Sequence, residues 1–380
     1  MVELIEDPIR GPECFRREGR TANLSRAAVL LLMSARLRGE HDESVAGPRA
    51  AWRTLMPELD GFPVPRLARS GRRVPREEPL ARLRDAAPRT FAAARGARES
   101  EPLPPELAFS LAKELYAEPA ESTAARLFEV SLVHRDALVR VAAAAGYHAL
   151  AAETDGLAAT LAGGVRQSED ALAGEVARTA LARFVPGHPA LAEAAVGPGA
   201  TGGGPAASAS MLVHGTWART QAWWQPGGDF HSCVRAGVWT DLYSAADRFD
   251  WSGAYSDVAR SLAAQDLAGW VAAHGTKGIR LMGHSHGANV AMLATHSSPD
   301  IGKLVLLSCP AHESKYLPHP GHAAGVVSIR VKMDLVILAD GGGQRFSDPR
   351  IRENVLPVWF DHSASHDPDC WRKYNVPSML

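Results

Sequence analysis

The sequence predicts an α/β domain over residues 211–380, placed behind an all-helical region, and three observations carry that prediction. After residue 206, short apolar runs at 211–213, 279–282, 304–307 and 326–331 alternate with helix-like stretches such as 255–271 and 288–295. Strand-helix alternation of this kind implies crossover units and a mostly parallel sheet with helices on both faces. A Gly/Ala/Ser/Pro run over 197–210 reads as a flexible linker and separates this part from what precedes it. Upstream of the linker, alanine-rich segments repeat their apolar residues at three and four spacing, which is helical rather than strand periodicity.

Composition narrows the function classes. The chain has 380 residues, with 41 Lys+Arg against 42 Asp+Glu and a formal net charge of −1. That balance argues against nucleic acid as a partner. Hydrophobic residues at 46% and charged residues at 22% are globular values, so wholesale disorder is excluded. Cys14, Cys233, Cys309 and Cys370 are far apart and form no CxxC pair, so neither a zinc cage nor a disulfide framework is expected. The start of the chain is acidic and Pro-interrupted rather than a basic stretch leading into an apolar run, and the apolar patch at 27–33 is too short to span a bilayer. A cytoplasmic protein with no integral membrane segment is the expectation.

Residues 1–105 read as an irregular or helical lead segment, rich in Pro and Arg between 47 and 89, with one amphipathic helix predicted over 22–37. Residues 106–196 read as short helices at 107–117, 122–133, 137–151, 156–161 and 171–184. The segments DALVRVAAAAGYHAL (136–150) and DALAGEVARTALARF (170–184), 34 residues apart, look like variants of one unit, and helix pairs at that period resemble HEAT-like repeats. Such a block is expected to dock within the chain or to present a surface to a protein partner, with His134 and His148 as packing or surface residues.

The chemistry is expected after residue 205, where eleven of the 15 histidines and eight of the nine tryptophans fall. There, Gly283-His284-Ser285-His286-Gly287 forms a G-x-S-x-G pattern. Taken alone it is weak, but it follows an apolar strand and opens a small-residue helix. A serine on such a tight turn projects its hydroxyl from the sheet edge, beside the amide donors of a helix N-terminus. A serine hydroxyl needs a base to take its proton, and the base needs a third group to orient it. The acid read from the chain is Asp334, at the end of a strand-like run, with Asp340 as the alternative. The base is His362, just past the final strand, with His366 as the alternative. Backbone amides of Thr216, Trp217 and His286 are the candidate oxyanion donors, because His214-Gly215 follows the first strand of the domain. His214, Trp217 and His284 are the candidate pocket residues; Trp223 and Trp224 fit either a pocket or the core. Gly341-Gly-Gly343 lacks the Lys-Ser/Thr of a phosphate loop, and no histidine spacing fits a metal site, so no metal and no cofactor are expected.

Together LVHGTW (212–217), FDWSG (249–253), LMGHSHGANVAM (281–292), the Asp334 strand and DHSASHDP (361–368) resemble the α/β-hydrolase fold, and within it the lipase/esterase-like serine hydrolases. The resemblance spans roughly 209–376 and leaves the first 200 residues unexplained. It implies Ser285 as nucleophile, Asp334 as acid, His362 as base, and hydrolysis of a small-molecule or lipid-like carboxylic ester through an acyl-enzyme. Thioester or amide hydrolysis and acyl transfer use the same machinery, and a partner-binding scaffold with a vestigial hydrolase domain is the rival from another class. Only 49 positions separate Ser285 from Asp334, so any cover over the site must come from 217–246 or from the N-terminal region.

Overall fold

The computed structural model describes residues 22–35, 105–117, 120–151, 155–167, 169–192 and 210–380. Most of the Pro- and Arg-rich lead segment, Cys14 and the 197–210 linker up to Ser210 lie outside the described residues. The chain divides into two compact units, one of residues 1–193 with Leu338–Asp340 and one of residues 194–337 with 341–380.

In the first unit the described helices are α1 (Ala22–Ser34), α2 (Pro105–Ala117), α3 (Glu121–Leu132), α4 (Ala137–Ala151), α5 (Asp155–Gln167) and α6 (Ala171–Phe184). Helix α4 is central and packs on α1, α3, α5 and α6. Its small residues permit this. A Cβ added at Gly146 would stand 2.5 Å from the Phe128 ring and 2.9 Å from the Leu31 carbonyl oxygen. Helix α5 runs beyond the expected 156–161 because its glycine pair does not break it. A Cβ at Gly164 would meet Val141 and Ala177 at 2.7 and 2.8 Å, so close packing there favours glycine within the helix. Helix α6 starts at Asp170, whose carboxylate accepts from the Ala173 amide at 3.2 Å.

The second unit is built on a five-stranded sheet in the order β1 (Ser210–Val213), β2 (Ile279–His284), β3 (Ile301–Leu307), β4 (Gly325–Lys332), β5 (Ile351–Trp359). Every neighbouring pair is parallel. The expected α/β architecture is therefore present. Parallel strands covered on both faces read as continuous apolar runs, and β1 is buried at all four positions. The helices after Ser210 are α7 (Asp229–Gly237), α8 (Asp257–Ala273), α9 (His286–Ala294), α10 (Leu335–Asp340), whose last three residues group with the first unit, and α11 (Pro368–Lys373). Leu267, Val271, Val290 and Met292 of α8 and α9 pack with Leu281, Ile301 and Leu304 of the strands in one apolar cluster. The β3–β4 connection carries no helix, and the apolar run after Asp334 is helix α10.

Strand order equals chain order, so the sheet has no point where its winding reverses. What gathers functional groups is instead the shared direction of the strands. All five carboxyl ends open onto one edge, where the segments after β1, β2, β4 and β5 carry Gly215, Ser285, Asp334 and His362. Among the described residues, no helix is long and apolar enough to cross a membrane.

Leu267 is fully buried while Leu262, on the same helix, is 54% exposed. Leu267→Ala is expected to lower unfolding free energy by about 2–5 kcal/mol in urea titration. Leu262→Ala should stay within about 0.5 kcal/mol of the parent.

Candidate active site

The site starts with a backbone constraint. Ser285 sits between β2 and α9 at φ 52°, ψ −131°, a left-handed conformation that a residue with a Cβ rarely adopts. Its amide donates to the Leu307 carbonyl at 2.8 Å, and its carbonyl accepts from the Ala288 amide at 3.0 Å. The flanking glycines make this turn sterically feasible. A Cβ at Gly283 would lie 2.5 Å from the Ala288 Cα, and one at Gly287 would lie 2.2 Å from the His214 carbonyl oxygen. The loop after β1 presses on the same turn, since a Cβ at Gly215 would stand 3.0 Å from the Ser285 Cβ.

Left-handed residues recur at this edge. Ser308, Met333 and Phe360 are the first residues after β3, β4 and β5, with φ of 41°, 49° and 71°. Non-glycine residues in this region are held there by surrounding structure and cluster at functional sites. The turns after β4 and β5 are tied together: the Phe360 amide donates to Lys332 O at 2.9 Å, and the Leu335 amide to Phe360 O at 3.4 Å.

That tie brings Asp334 and His362 into contact. His362 Nδ1 donates to Asp334 Oδ2 at 2.7 Å. The other carboxylate oxygen accepts the amides of Val336 and Ile337 at 3.0 and 3.2 Å, so Asp334 also caps α10. Asp334 is fully buried and His362 is 5% exposed. A residue the sequence did not single out, Gln344, brackets the acid. Its Oε1 accepts from the Asp334 amide at 2.9 Å and its Nε2 donates to the Asp334 carbonyl at 3.0 Å. A glutamine ten positions downstream in a glycine-rich loop leaves no sequence signal of such a role. Asp340 is the last residue of α10; the carboxylate bonded to His362 belongs to Asp334.

His362 opens a short 3-10 turn (His362–His366) whose start is capped by the Asp361 carboxylate, accepting from the Ser363 amide at 3.0 Å. Burial pushes the Asp361 carboxyl up from its ordinary range, with the Asp334 charge adding to the shift against the Ser363 bond. His366 ends this 3-10 turn; Asp367 caps α11 and Pro368 is its first residue.

Three imidazoles meet at this edge. The His284 ring lies 4.7 Å from the His362 ring and 4.3 Å from that of His366, centroid to centroid. Trp223, from the segment expected to cover the site, lies 4.2 Å from the His366 ring and 5.5 Å from that of His284. Burial, followed by the neighbouring His366 and His362, pushes His284 well below its ordinary value; the His362 backbone opposes this weakly. Burial and the neighbouring His362 likewise lower His366 to about 3. Neither nitrogen of His284, nor Nδ1 of His366, has a hydrogen bond of ordinary geometry. These two rings are neutral at pH 7.

The loop after β1 differs in detail from the expectation. Thr216 and Trp217 are the central residues of a turn closed by the Ala218 amide on Gly215 O at 3.3 Å. Trp217 is left-handed at φ 56°, and its amide donates to the Gly253 carbonyl at 2.9 Å. This commitment removes the Trp217 amide from the candidate oxyanion donors. The Trp217 ring is half-buried and stacks on Tyr255 at 5.8 Å. His214, 1% exposed, is enclosed between Trp224 and Trp251, with Nε2 donating to Asp250 Oδ1 at 3.1 Å. Trp224 belongs to the core, 2% exposed, donating to Ala218 O at 2.8 Å. His286 at the start of α9 bonds through Nδ1 to Asn289 Oδ1 at 2.8 Å.

Among the described residues no group of three or more His, Cys, Asp or Glu side chains could hold a metal ion. No protein-family model matches the chain, and no curated protein matches it significantly.

Gly287→Ala should disrupt the turn and lower the melting temperature by several degrees, whereas Gly237→Ala, whose Cβ would enter open space, should change it little; differential scanning calorimetry checks both. A second expectation concerns pH. His366 is about 3 folded against an ordinary 6.5, so between those values the unfolded chain binds more protons, and stability falls as pH drops through that window. His366→Gln should flatten the decline between pH 6.5 and 4 by up to about 1.4 kcal/mol per pH unit, read by urea unfolding at stepped pH.

Proposed function

We propose that the chain is a serine hydrolase of the α/β-hydrolase type that cleaves a carboxylic ester through an acyl-enzyme. The single observation that carries this reading is the left-handed backbone of Ser285 at the carboxyl end of β2, a strained position that glycines at 283 and 287 make possible. The Asp334–His362 pair supports it from the turns that follow β4 and β5 at the same edge.

In this reading Ser285 Oγ attacks the ester carbonyl carbon as its proton passes to His362 Nε2. The carbonyl π electrons move onto oxygen, which the amides of Thr216 and His286 stabilise. Collapse expels the alcohol, which takes the proton from His362, and leaves an acyl group on Ser285. Water then attacks the acyl carbon, giving its proton to His362; the acid departs as Ser285 regains a proton. Asp334 holds Nδ1 and steadies the imidazolium formed in each half. One oxyanion donor is worth about 2.7–4 kcal/mol in comparable enzymes. Thioesters and amides fit the same steps. The helical unit is read as a HEAT-like block that docks a protein partner, and the protein as cytoplasmic.

A fluorophosphonate probe should label the wild-type chain at Ser285 and leave Ser285→Ala unlabelled, as read by intact mass. An unlabelled wild type would favour the scaffold reading. With p-nitrophenyl acetate, His362→Ala should lose at least about a thousandfold in kcat, while His366→Ala keeps most turnover; the opposite pattern would move the base to His366.

A further inference from the structure

The F-D-W-S-G segment at 249–253 has no part in the steps above, yet the structure binds it to the loop after β1 at consecutive points. Trp251 Nε1 donates to the His214 carbonyl at 2.8 Å. The Gly253 carbonyl accepts the Trp217 amide at 2.9 Å. Asp250 accepts His214 Nε2 on one oxygen at 3.1 Å and Arg219 Nε on the other at 2.7 Å. Although burial works against its charge, the His214 and Arg219 bonds hold the Asp250 carboxyl below the ordinary range. Gly253 is left-handed at φ 67°, and a Cβ there would stand 3.1 Å from the Trp217 nitrogen, so this contact is made backbone to backbone.

These bonds bracket Thr216 from both sides. The His214 carbonyl that Trp251 holds is the one against which Gly287 packs, at the start of the helix that follows Ser285. The Trp217 amide that Gly253 holds belongs to a left-handed residue, which would relax without its partner. We propose that residues 250–253 form a strap that positions the Thr216 amide against the developing oxyanion, with Asp250, Trp251 and Gly253 as positioning residues. This rests on the serine hydrolase reading above. It adds that the rate of the chemical step depends on a segment that touches neither the substrate nor the triad.

The test uses Trp251→Phe, which deletes one hydrogen bond and keeps an aromatic ring, and Asp250→Asn, which keeps an acceptor for His214 and removes the charge. If either variant fails to fold by circular dichroism, the other carries the same readout. Each is assayed with p-nitrophenyl acetate and with its thiono analogue, whose sulfur is a poor hydrogen-bond acceptor. The strap predicts that kcat for the oxygen ester falls about tenfold or more while KM stays within about twofold. It also predicts that the wild-type preference for oxygen over sulfur shrinks by a similar factor, because the lost stabilisation is specific to the oxyanion. Unchanged kcat, or equal losses on both esters, would overturn the strap and leave the triad reading standing. A wild type that neither turns over nor reacts with fluorophosphonate would end the reading beneath it.

Discussion

The second unit is organised around one steric constraint: a serine held left-handed where a strand becomes a helix. Ser285 keeps this conformation because its neighbours allow backbone to press on backbone. Gly287 lies so close to the His214 carbonyl, and Gly283 so close to Ala288, that any side chain at either position would force the turn open. The loop after β1 must then lie where it does, since Gly215 abuts the Ser285 Cβ. A local conformation costing about 1–3 kcal/mol thus dictates which segments can approach the edge, and the folded structure supplies that energy from packing elsewhere.

Parallel strand direction does the rest. Each strand delivers its following residue to the same edge, and at β2, β3, β4 and β5 that residue is left-handed without being glycine. Sharp exits let short segments place side chains over the edge instead of running on past it. Hence Asp334 and His362 meet at 2.7 Å although 28 positions separate them. Their environments differ in a chemically useful way. Asp334 receives two backbone amides and an imidazole. His284 and His366 are buried without a carboxylate and stay neutral. Of the three neighbouring imidazoles, that of His362 carries the hydrogen bond to Asp334.

Much of this was legible before any coordinates. The apolar runs anticipated β1 to β4, because buried parallel strands are apolar on both faces and stand out against polar connections; β5, with exposed and half-buried positions along IRENVLPVW, carries no such run. The G-x-S-x-G pattern marked the turn because its glycines answer a backbone requirement visible in one short window. The segment 335–340 was harder: an apolar run of five ending in Asp340 is compatible with strand or helix, and the Asp334 cap made it helix α10. The glycine pair in α5 misled in the other direction, since propensity could not foresee Val141 and Ala177 closing on Gly164.

The sequence by itself determined that strands alternate with helices after residue 206, and that Ser285 stands on a glycine-flanked turn; both are properties of adjacent residues and their periodicity. Only the tertiary structure decided which partners share the edge. Asp334 rather than Asp340 holds His362, Gln344 brackets that acid, the Trp217 amide is spent on Gly253, and Asp250 reaches back to His214. These are contacts between segments far apart in the chain. Their geometry is set by strand register and turn direction, quantities that no short window of residues encodes.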